Sequence, residues 1–493
     1  MMPENSLLTT TSLPLLPQSV IVHAGMEYAL AKENSGFHLA VLANENDDRL
    51  ALFEGERTCI GKSKLVYAPQ NAHNVAILRS QIPWLQPRLL GLHTSAGLGD
   101  RLGLATPGHV RAIRRTDNAI APIFAQQSIR EMARTGRTPQ QVMDDAIWGV
   151  FQENWQGGFG ADADHLKTTD DIDACLEAGY TFFTIDPGDH VDNRAETASL
   201  SELHELVEGL PAEMLIKANG LLRKTLQIEH IKIVLEEKIL LKAMAKYGRA
   251  VWHVAAMYRH LVDKAGEKPF ELEVSVDETA QPTSHAEHVY IASELKRLGV
   301  RWVSLAPRYI GSFEKGVDYI GDVAAFEEDI AGHAAIARFF GPYKLSLHSG
   351  SDKYSIYPAA MRQTHGLVHL KTAGTSYLEA LHTIAPLDTD LFREIYIFAR
   401  EHYAADKVSY HVSAQLVRAP LPEEVKDWAA LLDQFDAREI FHITFGSVLK
   451  EKMPNGKMRF YERLMGLLYT HQEEYTENLE KHIFRHLFPF TQQ

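Results

Sequence analysis

The densest run of reactive side chains in this 493-residue sequence is Gly158-Phe-Gly-Ala-Asp162-Ala-Asp164-His165-Leu-Lys167, with four ionisable groups within six residues where an apolar stretch gives way to a helix start. Carboxylates and an imidazole at a strand end suit proton transfer or metal ligation better than packing. A second run, Phe270-Glu-Leu-Glu-Val-Ser-Val-Asp277-Glu278, alternates strictly. If Phe270, Leu272, Val274 and Val276 face surrounding helices, Glu271, Glu273, Ser275 and Asp277 share the opposite face. The same alternation groups Ser346 with His348 in Lys344-Leu-Ser-Leu-His348, and Ser304 and Ala306 with Arg308 in the run from Trp302. Charges collected on such a face need partners, because an uncompensated buried charge costs several kcal/mol.

A divalent cation is the most economical partner. His165, Asp277 and His348 end three different strands, and two imidazoles with one carboxylate suit Zn²⁺ with an open position, Mn, Ni, Co or Mg being alternatives. The competing reading is that each histidine bonds a neighbouring acid, in a chain with 24 histidines. His369 also has the phase to look inward. His285-Ala-Glu-His288 opens an expected helix and reads as solvated surface. Two loops, Ser349-Gly-Ser-Asp-Lys353 and Thr372-Ala-Gly-Thr-Ser376, expose backbone N–H groups at helix starts and suit a phosphate or carboxylate. Lys353, Lys371 and Arg308 supply positive charge there. Gln126, Gln127 and Asp186, after two further strands, are candidates for binding hydroxyl groups.

These side chains need a frame that brings several strand ends together. From Leu89 the sequence repeats strand, loop and helix, with strands expected at 89–93, 120–126, 159–163, 181–186, 270–277, 302–306, 343–348 and 366–371. Most are followed by a helical pattern, clearest at 138–154, 169–178, 284–298, 323–340 and 377–383. Eight such units predict an α/β fold, a TIM-type (β/α)8 barrel over residues 86–420. The alternative, an open doubly wound sheet, finds only a near miss to its glycine fingerprint in Gly97-Leu-Gly99-Asp-Arg-Leu-Gly103. Residues 1–85 read as a β-rich cap, with short strands at 19–23, 38–42 and 74–78. A helical insertion at 190–268, with helices expected over 225–247 and 250–264, is placed to cover the active site, to make subunit contacts, or only to pack. Residues 421–493 form a helical extension that folds back on the barrel.

Composition narrows the function classes. Lys and Arg total 50 against 64 Asp and Glu, a formal charge of -14 without a basic cluster, which argues against nucleic acid as partner. The two cysteines, Cys59 and Cys175, fit a reducing cytoplasm. Neither a secretory signal nor a membrane span is expected. A small-molecule substrate remains, and a homo-oligomer stays open.

The motifs Gly158–Lys167, Glu273-Val-Ser-Val-Asp-Glu-Thr279, Leu347-His-Ser-Gly-Ser-Asp-Lys353 and His369-Leu-Lys-Thr-Ala-Gly-Thr-Ser376 together resemble the bacterial tagaturonate/fructuronate epimerase family, from about Gln18 to the C-terminus. The resemblance implies a metal-dependent isomerase of hexuronate catabolism that interconverts D-tagaturonate and D-fructuronate, in a family also adapted to the C4 epimerisation of tagatose and fructose. It implies an acid–base pair at Asp164 and Glu273 beside the metal ligand His165, with Glu273 and Asp277 able to exchange roles. Asp164 and His165 would face opposite sides of a regular strand, so pairing is expected to end near Ala163. Arg308 or Lys353 would hold the uronate carboxylate. Three other readings remain open: a class II-type aldolase using the same metal and acids, a hydride-using epimerase carrying a nicotinamide, and a non-catalytic barrel serving as an assembly partner.

Overall fold

The chain is described by a computed structural model covering residues 6–33, 36–117, 119–218, 220–348, 351–372, 375–410 and 412–491. Eight parallel strands close into a barrel: β1 (Ser95–Gly97), β2 (Ala121–Ser128), β3 (Gly160–Leu166), β4 (Phe182–Ile185), β5 (Glu271–Val276), β6 (Ser304–Pro307), β7 (Lys344–Leu347) and β8 (Val368–Lys371). A helix follows each strand: α1 (Thr106–Arg114), α2 (Pro139–Gln152), α3 (Thr169–Ala178), α4 (Glu237–Ala265), α5 (His285–Arg297), α6 (Val323–Phe340), α7 (Tyr357–Thr364) and α8 (Thr375–Leu387). Closure leaves no sheet edge and excludes the open doubly wound alternative. Four helices follow: α9 (Thr389–Asp406), α10 (Phe435–Lys450), α11 (Tyr461–Thr470) and α12 (Gln472–Leu487).

Seven of the eight expected strands overlap the observed ones. The first does not. Residues 89–93 form no strand; the Leu90 and Gly91 amides instead donate to the Glu271 carboxylate, and Gly91 takes a φ of 60°. The strand that enters the barrel is the three-residue Ser-Ala-Gly that follows.

At the N-terminus, antiparallel strands over residues 21–69 form a five-stranded sheet. Residues 74–78, expected as a strand, lie in the helix Ala72–Gln81, because the Asn71 side chain caps the Asn74 amide and Val75 and Leu78 meet the core at helical spacing.

The insertion is mostly helical, but Thr225–Ile228 and Ile231–Val234 pair as an antiparallel hairpin where a helix was expected. Leu226, Ile228, Ile231 and Ile233 have the period-two spacing that a strand pair buries. The long helix α4 packs against α3 and α5, completing the outer ring of the barrel. Helices α8 to α12 share a second core, running from Tyr377 to Leu479 and joined by Leu102 and Ala105. Helix α12 returns to pack on α1 and α8. Among the described residues, no helix is long and apolar enough to cross a membrane.

Candidate active site and metal centre

The site begins with a break in β3. Pairing with β2 continues to Ser128 opposite Asp164, but pairing with β4 jumps from Ala163–Phe183 to Leu166–Ile185, and His165 adopts a φ of 55°. Positive φ is costly for a residue with a side chain and persists only where its surroundings fix it. Here it turns Asp164 and His165, neighbours in sequence, toward the same mouth of the barrel. The break thus falls where it was expected, on the β4 side only.

Below the mouth, the Lys371 ammonium is ringed by oxygens. Its Nζ lies 2.8 Å from Asp162 Oδ2, 2.7 Å from Asp164 Oδ1, 2.9 Å from Glu273 Oε1 and 2.7 Å from Thr184 Oγ1. Lys371 had been expected among anion-binding groups; it neutralises acids of the barrel instead. Ala373, Gly374, Ser349 and Gly350, central to the two expected anion loops, lie outside the described residues.

The two imidazoles sit above this layer with their rings 4.9 Å apart. His165 Nδ1 bonds Asp164 Oδ1 at 2.7 Å, and His348 Nε2 bonds Glu273 Oε1 at 2.7 Å. Their other nitrogens converge on Asp277 Oδ1, His165 Nε2 at 3.7 Å and His348 Nδ1 at 3.3 Å. A tetrahedral ion with bonds of about 2.1 Å needs ligand atoms roughly 3.4 Å apart. The two separations from Asp277 bracket that value and the three ligand atoms lie within 4.8 Å of one another, while each histidine donates its far N–H to a carboxylate in the manner of metal-bound imidazoles. Asp277 is the converging carboxylate, while Glu273 supports His348 from behind.

The charge balance points the same way. Asp162, Asp164 and Glu273 surround the Lys371 ammonium, Asp277 stands outside that ring beside the imidazoles, and a second buried lysine, Lys344, lies deeper with its Nζ on Ser95 Oγ at 2.8 Å. Burial pushes the Asp162 carboxyl up to about 6 against the pull of Lys371. Burial also works against the charge on Asp164, but His165 and Lys371 outweigh it and hold that carboxyl well below its usual range. Burial opposes charge on His348, yet Asp277 raises it to about 9, and Asp164 lifts His165 in the same way. The acids thus draw positive charge to the point where the imidazoles meet.

Two chambers open from this point. One of about 20 Å³ is walled by Ser128, Asp164, His165 and Lys371, and one of about 230 Å³ by Arg308, Tyr309, Phe313, Tyr410 and Val412; both share Arg130, Asp277, Glu278, Lys315 and His348. Gln126 reaches the site, donating to Asp164 Oδ2 at 3.1 Å. Gln127 does not: strand alternation turns it outward, where its Oε1 accepts from Arg137. Asp186 is buried, with Oδ1 on the Gly188 amide and Oδ2 3.8 Å from Lys167 Nζ. Arg308 lines the larger chamber and donates to the Thr279 carbonyl. Lys353 is fully buried with Nζ donating to the carbonyls of Glu314, Val317 and Ser351, so it is not available to a substrate carboxylate. His369 points inward one layer deeper, bonded to Ser95, and burial lowers it to about 3.

Sequence reasoning missed several wall residues. Asp162 was legible, since it has the phase of Asp164. Arg130, paired with Glu278 at 2.8 Å, begins a helix, and Lys315 lies in the irregular loop after β6; neither has a periodic pattern to mark it.

His285 and His288 were read as surface, but His288 is buried between His333 and Tyr343 because its helix face packs on α6. Among the described residues two other groups bring histidine and aspartate together, His285–Asp329–His333 and Asp352–His482–His486. In the first, His285 Nε2 is bonded to the Asp329 carbonyl oxygen; in the second, His486 Nε2 accepts the Asp352 amide. Asp352 and His482 also border a chamber, but His486 Nδ1 is bonded to the His482 carbonyl, so among the described residues the barrel-mouth group alone sets two imidazoles, each backed by a carboxylate, at a chamber wall.

Comparison with known proteins places the whole chain. A family model described as tagaturonate epimerase matches residues 16–489. The chain is 44% identical over 464 residues to the tagaturonate/fructuronate epimerase of Thermotoga maritima, covering 94% of each. The native crystal structure of fructuronate-tagaturonate epimerase from Cohnella laeviribosi superposes with a TM-score of 0.92 at 36% identity, over 98% of this chain and 97% of that one. A glycerol complex of the same protein gives 0.91, over 97% and 96%. With an eight-stranded barrel, an acidic mouth and a match along nearly its whole length, the chain belongs to the tagaturonate epimerase family and is an isomerase.

Proposed function

We propose that this protein interconverts D-tagaturonate and D-fructuronate by opening and re-forming one carbon–carbon bond at the barrel mouth. The two ketouronates differ at C4, a carbinol carbon β to the ketone whose hydrogen is not acidic. A retro-aldol route inverts C4 without breaking its C–H bond. A base takes the C4 hydroxyl proton, the bond to C3 breaks, and its electron pair passes into an enediolate over C3 and the ketone. The aldehyde fragment turns over, and the bond re-forms on its other face.

The observation that carries this reading is the meeting of His165 Nε2 and His348 Nδ1 at Asp277 Oδ1 above an excess of buried carboxylates. These three residues would hold a divalent cation, foremost Zn²⁺, which when bound supplies Lewis acidity to the ketone and its α-hydroxyl. Asp164 stands in the chamber wall, oriented by Gln126, and takes the hydroxyl proton. Glu273 lies deeper and acts through Lys371 and His348, which touch both it and the chamber. Tyr410, Val412 and the loop after β6 wall the larger chamber and favour retention of the aldehyde over its release as in an aldolase. Tagatose and fructose contain the same bond and are the secondary substrates of this reading.

D-Tagaturonate carrying deuterium at C4, incubated in ordinary water, is expected to yield fructuronate that keeps the label. Washout of deuterium into solvent would sink the route.

A further inference from the structure

The loop between β6 and α6 carries a lysine with an unusual setting. Lys315 borders both chambers, yet among the described residues it makes no hydrogen bond or ion pair. The charges that act on it most are the acids Glu131 and Glu278 and the cations Arg130 and Arg101, and each acid already holds an arginine: Glu131 pairs with Arg101 and Glu278 with Arg130. The side chain is half-buried, and desolvation with the two arginines lowers its amine against the opposing pull of Glu131 and Glu278. A half-buried ammonium on the chamber wall, with no acid of its own, is placed to receive an anionic ligand.

The turn that presents Lys315 is also fixed from behind. Lys353 Nζ donates to the Glu314 carbonyl at 2.6 Å and the Val317 carbonyl at 2.5 Å, and Arg438 Nε donates to the Gly316 carbonyl at 2.7 Å. The Glu314 carboxylate is in turn held by the Ser413 amide at 2.8 Å and hydroxyl at 3.0 Å. Carbonyls on both sides of Lys315 are therefore immobilised, so that a ligand meeting its ammonium would not have to order the loop.

We infer that Lys315 binds the carboxylate of the substrate, and so anchors the aldehyde fragment while its carbonyl turns over. The inference rests on the retro-aldol reading of the site. Cleavage between C3 and C4 leaves the carboxylate on the fragment that must rotate without escaping, and the ketone on the fragment at the His165–Asp277–His348 end. Lys315 stands at the junction of the two chambers and can hold one end of that fragment. Arg130, which also lines both chambers, is paired with Glu278, and Arg308 does not border the smaller chamber and already donates to the Thr279 carbonyl. The sequence-based choice of Lys353 fell on the residue that braces this turn.

The test compares wild type with Lys315→Met and Lys315→Arg, measuring calorimetric binding of D-fructuronate and neutral D-fructose beside KM and kcat for the uronate. Loss of a charge-assisted contact should weaken uronate binding roughly ten- to a hundred-fold in K315M. K315R should recover most of it, and fructose binding should change by less than about two-fold. Unchanged uronate binding in K315M would overturn the assignment, and so would equal losses for uronate and fructose, which would mark a merely structural lysine. The retro-aldol reading fails separately, by deuterium washout from C4, whatever the binding data show.

Discussion

His348 is bonded through Nε2 to Glu273 Oε1 at 2.7 Å, which leaves its Nδ1 turned to Asp277. A carboxylate that fixes the tautomer and direction of a ligating imidazole governs metal affinity from outside the ligand set. Glu273→Gln should therefore lower affinity for Zn²⁺ by about ten- to a hundred-fold, whereas Asp277→Asn should abolish stoichiometric binding. Equilibrium dialysis measures both. Equal affinity in wild type and E273Q would remove Glu273 from this supporting role.

Asp164 is held as the anion by His165 and Lys371 despite its burial, the state a base needs. Asp164→Asn should lower kcat by roughly 10²- to 10⁴-fold, with the circular dichroism spectrum unchanged. Retention of most of the wild-type kcat would exclude Asp164 as the base.

A pH effect on stability is expected away from the site. Glu439 on α10 is buried without a hydrogen-bond partner among the described residues, and burial together with the nearby Glu314 raises its carboxyl from the usual 4.5 to about 8. The folded chain thus keeps a proton that the unfolded chain releases at lower pH. Stability from this group is full below the unfolded value and is lost as pH rises through the folded one, a loss on the order of a few kcal/mol. Melting curves between about pH 5 and pH 8.5 should fall more steeply for wild type than for Glu439→Gln. Parallel curves would contradict the assignment.

Gly108 on α1 lies against the returning helix α12, where an added Cβ would stand 2.6 Å from Leu479 Cβ and 2.9 Å from the Thr476 carbonyl oxygen. Gly108→Ala must push the helices apart and should cost about 1–3 kcal/mol. A lowered melting temperature with kcat for D-fructuronate preserved is the expected result. An unchanged melting temperature would show that the contact yields freely.

The ligand-bearing strands were legible because chemistry and fold share a period there. In Glu271–Asp277 and Lys344–His348, strict alternation both defines the strand and sorts acids and imidazoles to its inner face. The break at His165 was legible too, since two adjacent polar residues cannot share a face of an unbroken strand. Three residues of Ser-Ala-Gly carry no such period, so β1 was sought a few residues early. Leu226–Ile233 alternates apolar and polar residues on both sides of Glu229-His230, a strand signal masked by the helical spacing that begins immediately after it. Lys353 and Lys315 show the remaining limit. Both are loop lysines, and only tertiary contacts decide which one clamps carbonyls and which one faces the chamber.

His165, Asp277 and His348 are proposed to hold one catalytic cation. The most direct test is the titration of Zn²⁺ or Mn²⁺ into chelator-treated protein, with conversion of D-tagaturonate to D-fructuronate followed at each step. Activity should rise from near zero and saturate at one equivalent per chain, and in the His348→Ala variant it should stay low throughout. Full activity in protein from which the divalent metal has been removed would rule out a catalytic cation at these three residues.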